Sequence, residues 1–147
     1  MSMPLKSPLP SFEGITAWLN GEPDLESIME EPILVYFWAI SCPVCHANMP
    51  KLTTWRETYV PKGLNMIGIH CPRMKTDVDI EQVKAAIAKF GIVESCGIDN
   101  MHWVRQAFDN EYWPTYYLFD REGHLKRRAA GKNGPVMLEP TLNEMFT

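Results

Sequence analysis

Ile33-Leu34-Val35-Tyr36-Phe37-Trp38-Ala39-Ile40-Ser41-Cys42-Pro43-Val44-Cys45-His46 is the stretch from which the rest of the chain is best read. Its first six residues form a continuous apolar, β-branched and aromatic run, with no polar alternation. Such a run marks a strand covered on both faces, as in a parallel sheet between helices. The two cysteines follow at once, three residues apart. Pro43 lies between them and suits the first position of a helix, where no N–H is needed. Downstream, Met49, Leu52, Trp55 and Tyr59 recur at three- and four-residue steps and make one apolar helix face. Pro50 falls inside that helix and predicts a kink.

The strand-to-helix junction is what gives the cysteine pair its chemistry. A cysteine exchanges with a disulfide only as the thiolate, and a free one, with a pKa of about 8.5, is mostly protonated at neutral pH. A helix N-terminus carries unpaired N–H donors and about half a positive charge, and both favour an anion. Cys42 stands at that point, and Cys45, within the first turn, is close enough to close a ring with it. The pattern predicts that Cys42 attacks a substrate disulfide and that Cys45 resolves the mixed disulfide. Cys42 is the expected nucleophile because it should be more exposed and nearer the helix end.

Working outward, residues 64–70 read as a second buried strand and residues 79–90 as a helix. That helix presents Ile80, Val83, Ile87 and Phe90 on one face, with Asp79 and Gln82 as a capping box and Gly91 as its stop. A short strand beside Cys96 and a short helix over 102–108 follow. Residues 115–120 and 124–130 form a hairpin turning through Arg121-Glu122-Gly123. Residues 136–146 look helical, although Pro140 should break or bend that helix unless it lies in the first turn. Upstream, residues 24–29 form a short helix capped by Asp24 and stopped by Pro32. Residues 1–10, with three prolines, form an extended arm ahead of a single domain spanning 11–147. The predicted class is α/β, with a mixed central sheet flanked by helices on both faces.

Composition narrows the function. The 147 residues are 46% hydrophobic with a net charge of −4, which suits one packed domain and offers no basic face to nucleic acid. Lys126-Arg127-Arg128 is the only basic cluster and reads as a solvated strand face. No run approaches the roughly 20 apolar residues that cross a bilayer, and the first residues do not form a signal peptide. A cytoplasmic protein is therefore expected, and a close cysteine pair in that compartment is metal-binding or redox-active. Zinc would need two more ligands, and the nearest candidates, His70 and Cys71, should point to opposite faces of a strand. Cys42-Pro43-Val44-Cys45-His46 also fits the c-type haem pattern, which the buried strand and α/β periodicity oppose. The expectation is no metal and no bound organic cofactor, with the thiols carrying the electrons. His46 is either a helix-surface residue or a positive neighbour that lowers a cysteine pKa. Cys71 could emerge near the pair as an auxiliary thiol or lie inert in the core, and Cys96, beside a short strand, reads as inert.

At this point the residues resemble a family. Val35-Tyr36-Phe37-Trp38-Ala39 before the Cys-x-x-Cys, Pro50 in the helix, and Trp113-Pro114-Thr115 before a strand look like thioredoxin-like thiol–disulfide oxidoreductases. The extra helix and strand between the pair and Pro114 are similar to the TlpA/ResA branch, and the short form to its cytosolic YkuV-like members. The resemblance covers roughly residues 11–147 and implies a thioredoxin-like fold with a cis bond before Pro114. It implies that Trp113 and Pro114 bind substrate, with Trp38, Pro43, Val44 and His46 as accessory residues beside the pair. Trp38, Trp113 and Tyr112 would make an apolar apron for a client chain, although Trp38 could equally be core. Implied partners are proteins with disulfides and an unidentified thiol electron donor. A monomer is expected, and in a reducing cytosol the direction is reduction of client disulfides. A peroxiredoxin-type peroxidase would want threonine or serine three residues before Cys42, where Ala39 stands.

Two departures bear on mechanism. Tyr36 stands where thioredoxins carry a buried aspartate, and Asn48 where ResA-like proteins carry a glutamate. Neither can take a proton from Cys45 near neutral pH, which leaves water, His46 or Glu94. Ser41 replaces the tryptophan that precedes the first cysteine in thioredoxins.

Overall fold

The computed structural model describes residues 3–147; Met1 and Ser2 of the expected arm lie outside them. In chain order the elements are β1 (Ala17–Leu19), α1 (Leu25–Ile28), β2 (Ile33–Trp38), α2 (Pro43–Tyr59), β3 (Asn65–His70), α3 (Ile80–Phe90), β4 (Cys96–Ile98), α4 (Trp103–Ala107), β5 (Thr115–Phe119), β6 (Leu125–Ala130) and α5 (Gly134–Met145). The six strands form one mixed sheet in the order β1-β4-β3-β2-β5-β6. β2 and β3 run parallel, as do β3 and β4, while β1, β5 and β6 are antiparallel to their neighbours. The fold is thioredoxin-like.

Every residue of β2 is buried, as its uninterrupted apolar run requires, because helices cover both of its faces. Leu34, Tyr36 and Trp38 face α2, α3 and α5, together with Leu52, Trp55, Val83, Ile87, Leu138 and Leu142. Val35 and Phe37 face the other way, toward Phe12, Val104 and Phe108. Phe37, Phe108 and Tyr117 meet edge-on there, with ring centroids 5.1–5.7 Å apart. The parallel order places the C-terminal ends of β2, β3 and β4 on one rim, and β5 starts at that same rim.

Several local expectations are modified. α2 contains Pro50 within its span, so the proline does not end it. α5 begins at Gly134, with Pro135 in its first turn, and continues through Pro140 instead of breaking there. Pro140 is exposed and so is Val136, the residue whose carbonyl it cannot satisfy, so water can take that carbonyl. Asp24 caps α1 through the Ser27 N–H, and Asp79 caps α3 by accepting from the Glu81 N–H at 3.0 Å. β1 was not expected: a three-residue strand is too short for a periodicity to show, and it is held by register with β4. The arm is not loose beside the domain. Lys6 N–H donates to the Leu125 carbonyl, Leu125 N–H to Ser7, and Leu9 N–H to Gly123, so the arm pairs along the start of β6. Met3 is buried beneath it.

Candidate active site

Cys42 ends the turn that leaves β2, its N–H bonded to the Ala39 carbonyl at 3.1 Å. Its backbone is extended (φ −101°, ψ 102°), and it is the N-cap of α2, with Pro43 in the first turn. Cys42 and Cys45 are joined in a disulfide with Cα atoms 5.2 Å apart. The Cys45 N–H donates to Cys42 Sγ at 3.1 Å. The helix thus offers its unpaired amide to the Cys42 sulfur, as an N-cap does to a side-chain acceptor. Exposure does not separate the two thiols, contrary to expectation: Cys42 is 2% exposed and Cys45 1%. What separates them is position, because the cap residue's sulfur receives the amide and the N3 residue supplies it.

Trp113 and Pro114 enter β5 on the same rim, and the bond between them is cis. Trp113 is half-buried, packs against the cluster that contains both cysteines, and donates from Nε1 to the Cys71 carbonyl at 2.9 Å. The Arg105 guanidinium lies 5.2 Å from its ring centroid. The Pro114 carbonyl accepts from the Gly131 N–H at 2.9 Å, which ties the loop to the end of β6. Tyr112 beside it is 58% exposed. Pro43 is exposed and Val44 half-buried beside the pair. Trp38, expected among the accessory residues, does not belong to this surface. It is 1% exposed, and its ring stands edge-on to His70 at 4.9 Å. As the sixth residue of a strand covered on both faces, it has no route to solvent.

The remaining candidates divide clearly. His46 stacks on Phe90 with ring centroids 4.9 Å apart, and burial and the Lys89 charge lower its pKa. It is therefore neutral at neutral pH and does not act as a positive neighbour. Asn48 spans from α2 to β5, donating to Tyr116 Oη at 3.1 Å and to the Gly131 carbonyl at 3.3 Å. Tyr36 donates its hydroxyl to Glu94, and Arg56 grips the same carboxylate through Nε at 2.7 Å and Nη2 at 2.8 Å. Burial first, then the Glu94 charge, push the Tyr36 phenol well above its ordinary range. Glu94 is thus occupied as an acceptor by two donors. Cys71 is fully buried, and burial with the nearby Asp99 charge drives its thiol upward, which makes it inert. Cys96 is fully buried too, its thiol pushed up to about 12 by burial. Among the described residues no group of three or more His, Cys, Asp and Glu side chains gathers as a metal site.

A group that residue-by-residue reading missed holds the turn that leads into Cys42. Asp77, 1% exposed, accepts from Ser41 Oγ at 2.6 Å. Arg73 Nη1 donates to the Ser41 carbonyl at 2.9 Å, and the Ile40 N–H donates to His70 Nε2 at 3.1 Å. The one available signal was Ser41 itself, a small polar residue where thioredoxins place a large apolar one.

The AhpC/TSA family profile matches residues 5–128. Thiol-disulfide oxidoreductase YkuV of Bacillus subtilis (strain 168) is 39% identical over 145 residues, covering 98% of this chain and 97% of that protein. Protein DipZ of Mycobacterium tuberculosis is 31% identical over 141 residues, which make up 93% of this chain and 20% of the much longer DipZ. Among solved structures, the solution structure of a thioredoxin-like protein in the oxidised form superposes with a TM-score of 0.89 at 39% identity, covering 98% of this chain and 97% of that one. The thioredoxin-like superfamily protein SPOA0173 shares the fold at 18% identity, with a TM-score of 0.79 over 97% of this chain and 96% of its own. Sequence, sheet order and the capped cysteine pair agree, and the chain belongs to the AhpC/TSA family as a thioredoxin-like thiol–disulfide oxidoreductase.

Proposed function

We propose that this protein reduces disulfides in other proteins, with Cys42 as the attacking thiolate and Cys45 as the resolving thiol. The observation that carries the reading is the Cys45 N–H directed at Cys42 Sγ from the first turn of α2. That donor, with the helix dipole, stabilises a thiolate at Cys42 and not at Cys45. In one cycle, Cys42 S⁻ attacks a client disulfide and a mixed disulfide forms while the client's other sulfur leaves as a thiolate. Cys45 loses its proton to solvent and attacks Cys42, giving the Cys42–Cys45 disulfide and a fully reduced client. An unidentified thiol donor then returns two electrons. Trp113 and Pro114, at the start of β5 on the rim that carries the pair, would receive the client's extended segment. Tyr112 offers exposed aromatic surface next to them, and Pro43 and Val44 offer apolar surface on the helix side.

Cytoplasmic location is part of this reading: no helix among the described residues is long and apolar enough to cross a membrane. In a reducing compartment the reductase direction follows. The likeness to YkuV, which its name describes as a thiol-disulfide oxidoreductase, supports the reaction class.

The test is the redox equilibrium of Cys42–Cys45 against glutathione on metal-free protein, with C42S as control. A value near thioredoxin's, roughly −270 mV, supports a reductase, and one several tens of millivolts higher indicates an oxidant or isomerase. A pair that never oxidises, or that holds zinc, refutes the proposal. C45S should accumulate mixed disulfides with clients, and those captured proteins identify them.

A further inference from the structure

The two residues leading into Cys42 are held from the end of β3 and the loop that follows it. Ile40 is held through its N–H by His70, and Ser41 through its carbonyl by Arg73 and through its hydroxyl by Asp77. Asp77 Oδ2 accepts two further bonds, from the Arg73 N–H at 2.8 Å and the Met74 N–H at 3.3 Å. One carboxylate oxygen therefore closes its own loop and ties that loop to Ser41. The acid is almost wholly buried, and its other oxygen, Oδ1, is buried with no hydrogen-bond partner. Burying a carboxylate is costly unless it is hydrogen-bonded, and one of the three donors that offset the cost here comes from the turn before Cys42.

We infer that Asp77 is a positioning residue for the exchange: through Ser41 it holds the turn that presents Cys42 Sγ to the Cys45 amide. The inference rests on Cys42 being the attacking thiol. In the oxidised protein the disulfide itself tethers Cys42 to the helix end. Reduction removes that tether, and the sulfur's place over the Cys45 N–H then depends on where the backbone of residues 40–42 is held. Asp77 and Arg73 hold Ser41, one residue away, with charge-assisted bonds. With the clasp intact, the reduced thiolate keeps its donor. Without it, the thiolate loses stabilisation, the redox equilibrium moves toward the disulfide, and attack slows.

Three single variants and one double variant test this. S41A removes the hydroxyl alone, D77A removes the acceptor, and D77N keeps an oxygen that can stand at the Oδ2 position. Two quantities are read: the redox equilibrium against glutathione, and the rate at which iodoacetamide alkylates reduced Cys42. S41A and D77A should each slow alkylation about tenfold, a size that small misplacements of a reacting group commonly reach. Each should also shift the redox equilibrium about tenfold toward the disulfide, equivalent to about 30 mV. D77N should recover part of the D77A loss, and S41A in the D77A background should add nothing, because the two act through one bond. S41A with wild-type potential and alkylation rate overturns the inference, as do effects of S41A and D77A that add in full. Should D77A fail to fold, S41A and D77N decide. A wild-type protein that does not exchange with glutathione refutes the proposed function and this inference together; one that exchanges while S41A matches it refutes the role of Asp77 alone.

Discussion

Acid should weaken this protein through His70, and the size of the effect can be worked out. His70 ends β3, is fully buried, and accepts the Ile40 N–H through Nε2, so the native ring must be neutral. Burial lowers its pKa from 6.5 to about 4, with the Asp77 charge opposing only in part. A group whose native pKa lies below its unfolded one binds its proton preferentially in the unfolded chain, so stability falls as pH drops through the unfolded value. The loss begins near the unfolded value of 6.5 and is complete below the native value of about 4. At about pH 5 the unfolded ring is almost fully protonated and the native ring hardly at all, which costs about 2 kcal/mol relative to pH 8. Below both values the loss approaches about 3 kcal/mol. The assay is urea unfolding of the oxidised protein at the two pH values, for wild type and H70Q. Glutamine cannot titrate but carries an oxygen that can accept the Ile40 N–H. The other histidines and the carboxylates are common to both proteins and cancel in the comparison. Wild type should therefore lose about 2 kcal/mol more than H70Q between pH 8 and pH 5. Equal losses in the two proteins would refute the reasoning, because they would mean that His70 takes up its proton in the native state at no cost.

Gly68 faces Tyr36 across the β2–β3 pairing, and a Cβ there would lie 2.8 Å from the ring's Cζ and hydroxyl. G68A should cost about 1–3 kcal/mol by overpacking, read as a lowered urea midpoint, and an unchanged midpoint would show that the ring can move aside. Y36F removes the hydroxyl that donates to Glu94 and leaves that carboxylate to Arg56 alone. It should cost about 1.5–3 kcal/mol in the same assay while leaving the redox equilibrium of the cysteine pair unchanged; a shifted equilibrium would tie Tyr36 to the chemistry. Resolution by Cys45 near pH 7 should be slower than in family members with a carboxylate behind the pair, since Asn48 and Tyr36 cannot take the proton. Stopped-flow decay of a preformed mixed disulfide reads that step, and a rate equal to theirs would sink the expectation.

What was legible in the sequence was whatever depends on short-range pattern. The short, β-branched and aromatic apolar run of β2 reads as a doubly covered strand, and a proline after a capping cysteine suits a helix start, so the junction that carries Cys42 was readable. Gly91 and Asp79 mark the ends of α3 for equally local reasons. What was not legible depends on partners distant in the chain. β1 exists because β4 offers it an edge, about eighty residues away in register. Trp38 has the same composition whether it lines a surface or a core, and only the position of the helices decides. Asp77 looks like one acid among many in a polar loop until the end of β3 carries it under Ser41. Pro140 misled for a different reason: a freed carbonyl is costly only where water cannot reach it, and exposure is a tertiary property.

The residues that depart from the thioredoxin pattern rely on partners elsewhere in the chain. An aromatic ring at Tyr36 is longer than an aspartate and carries its polar atom over Gly68 to Glu94. It needs empty space on the neighbouring strand, which Gly68 provides, and an acceptor, which Glu94 provides. Glu94, drawn inward, needs a charge partner, and Arg56 reaches it from α2 with two nitrogens. Tyr36 in β2 is thus accommodated by residues of β3, of α2 and of the turn before β4. Ser41 is held by an acid and an arginine in the loop after β3. The first set packs a phenol, held by Glu94, where the resemblance to thioredoxins would place a proton acceptor. The second set ties down the turn that leads into Cys42. In the proposed cycle these two sets separate the thiols' requirements: Cys42 would be served by the Cys45 amide and a held turn, while Cys45 would give its proton to solvent.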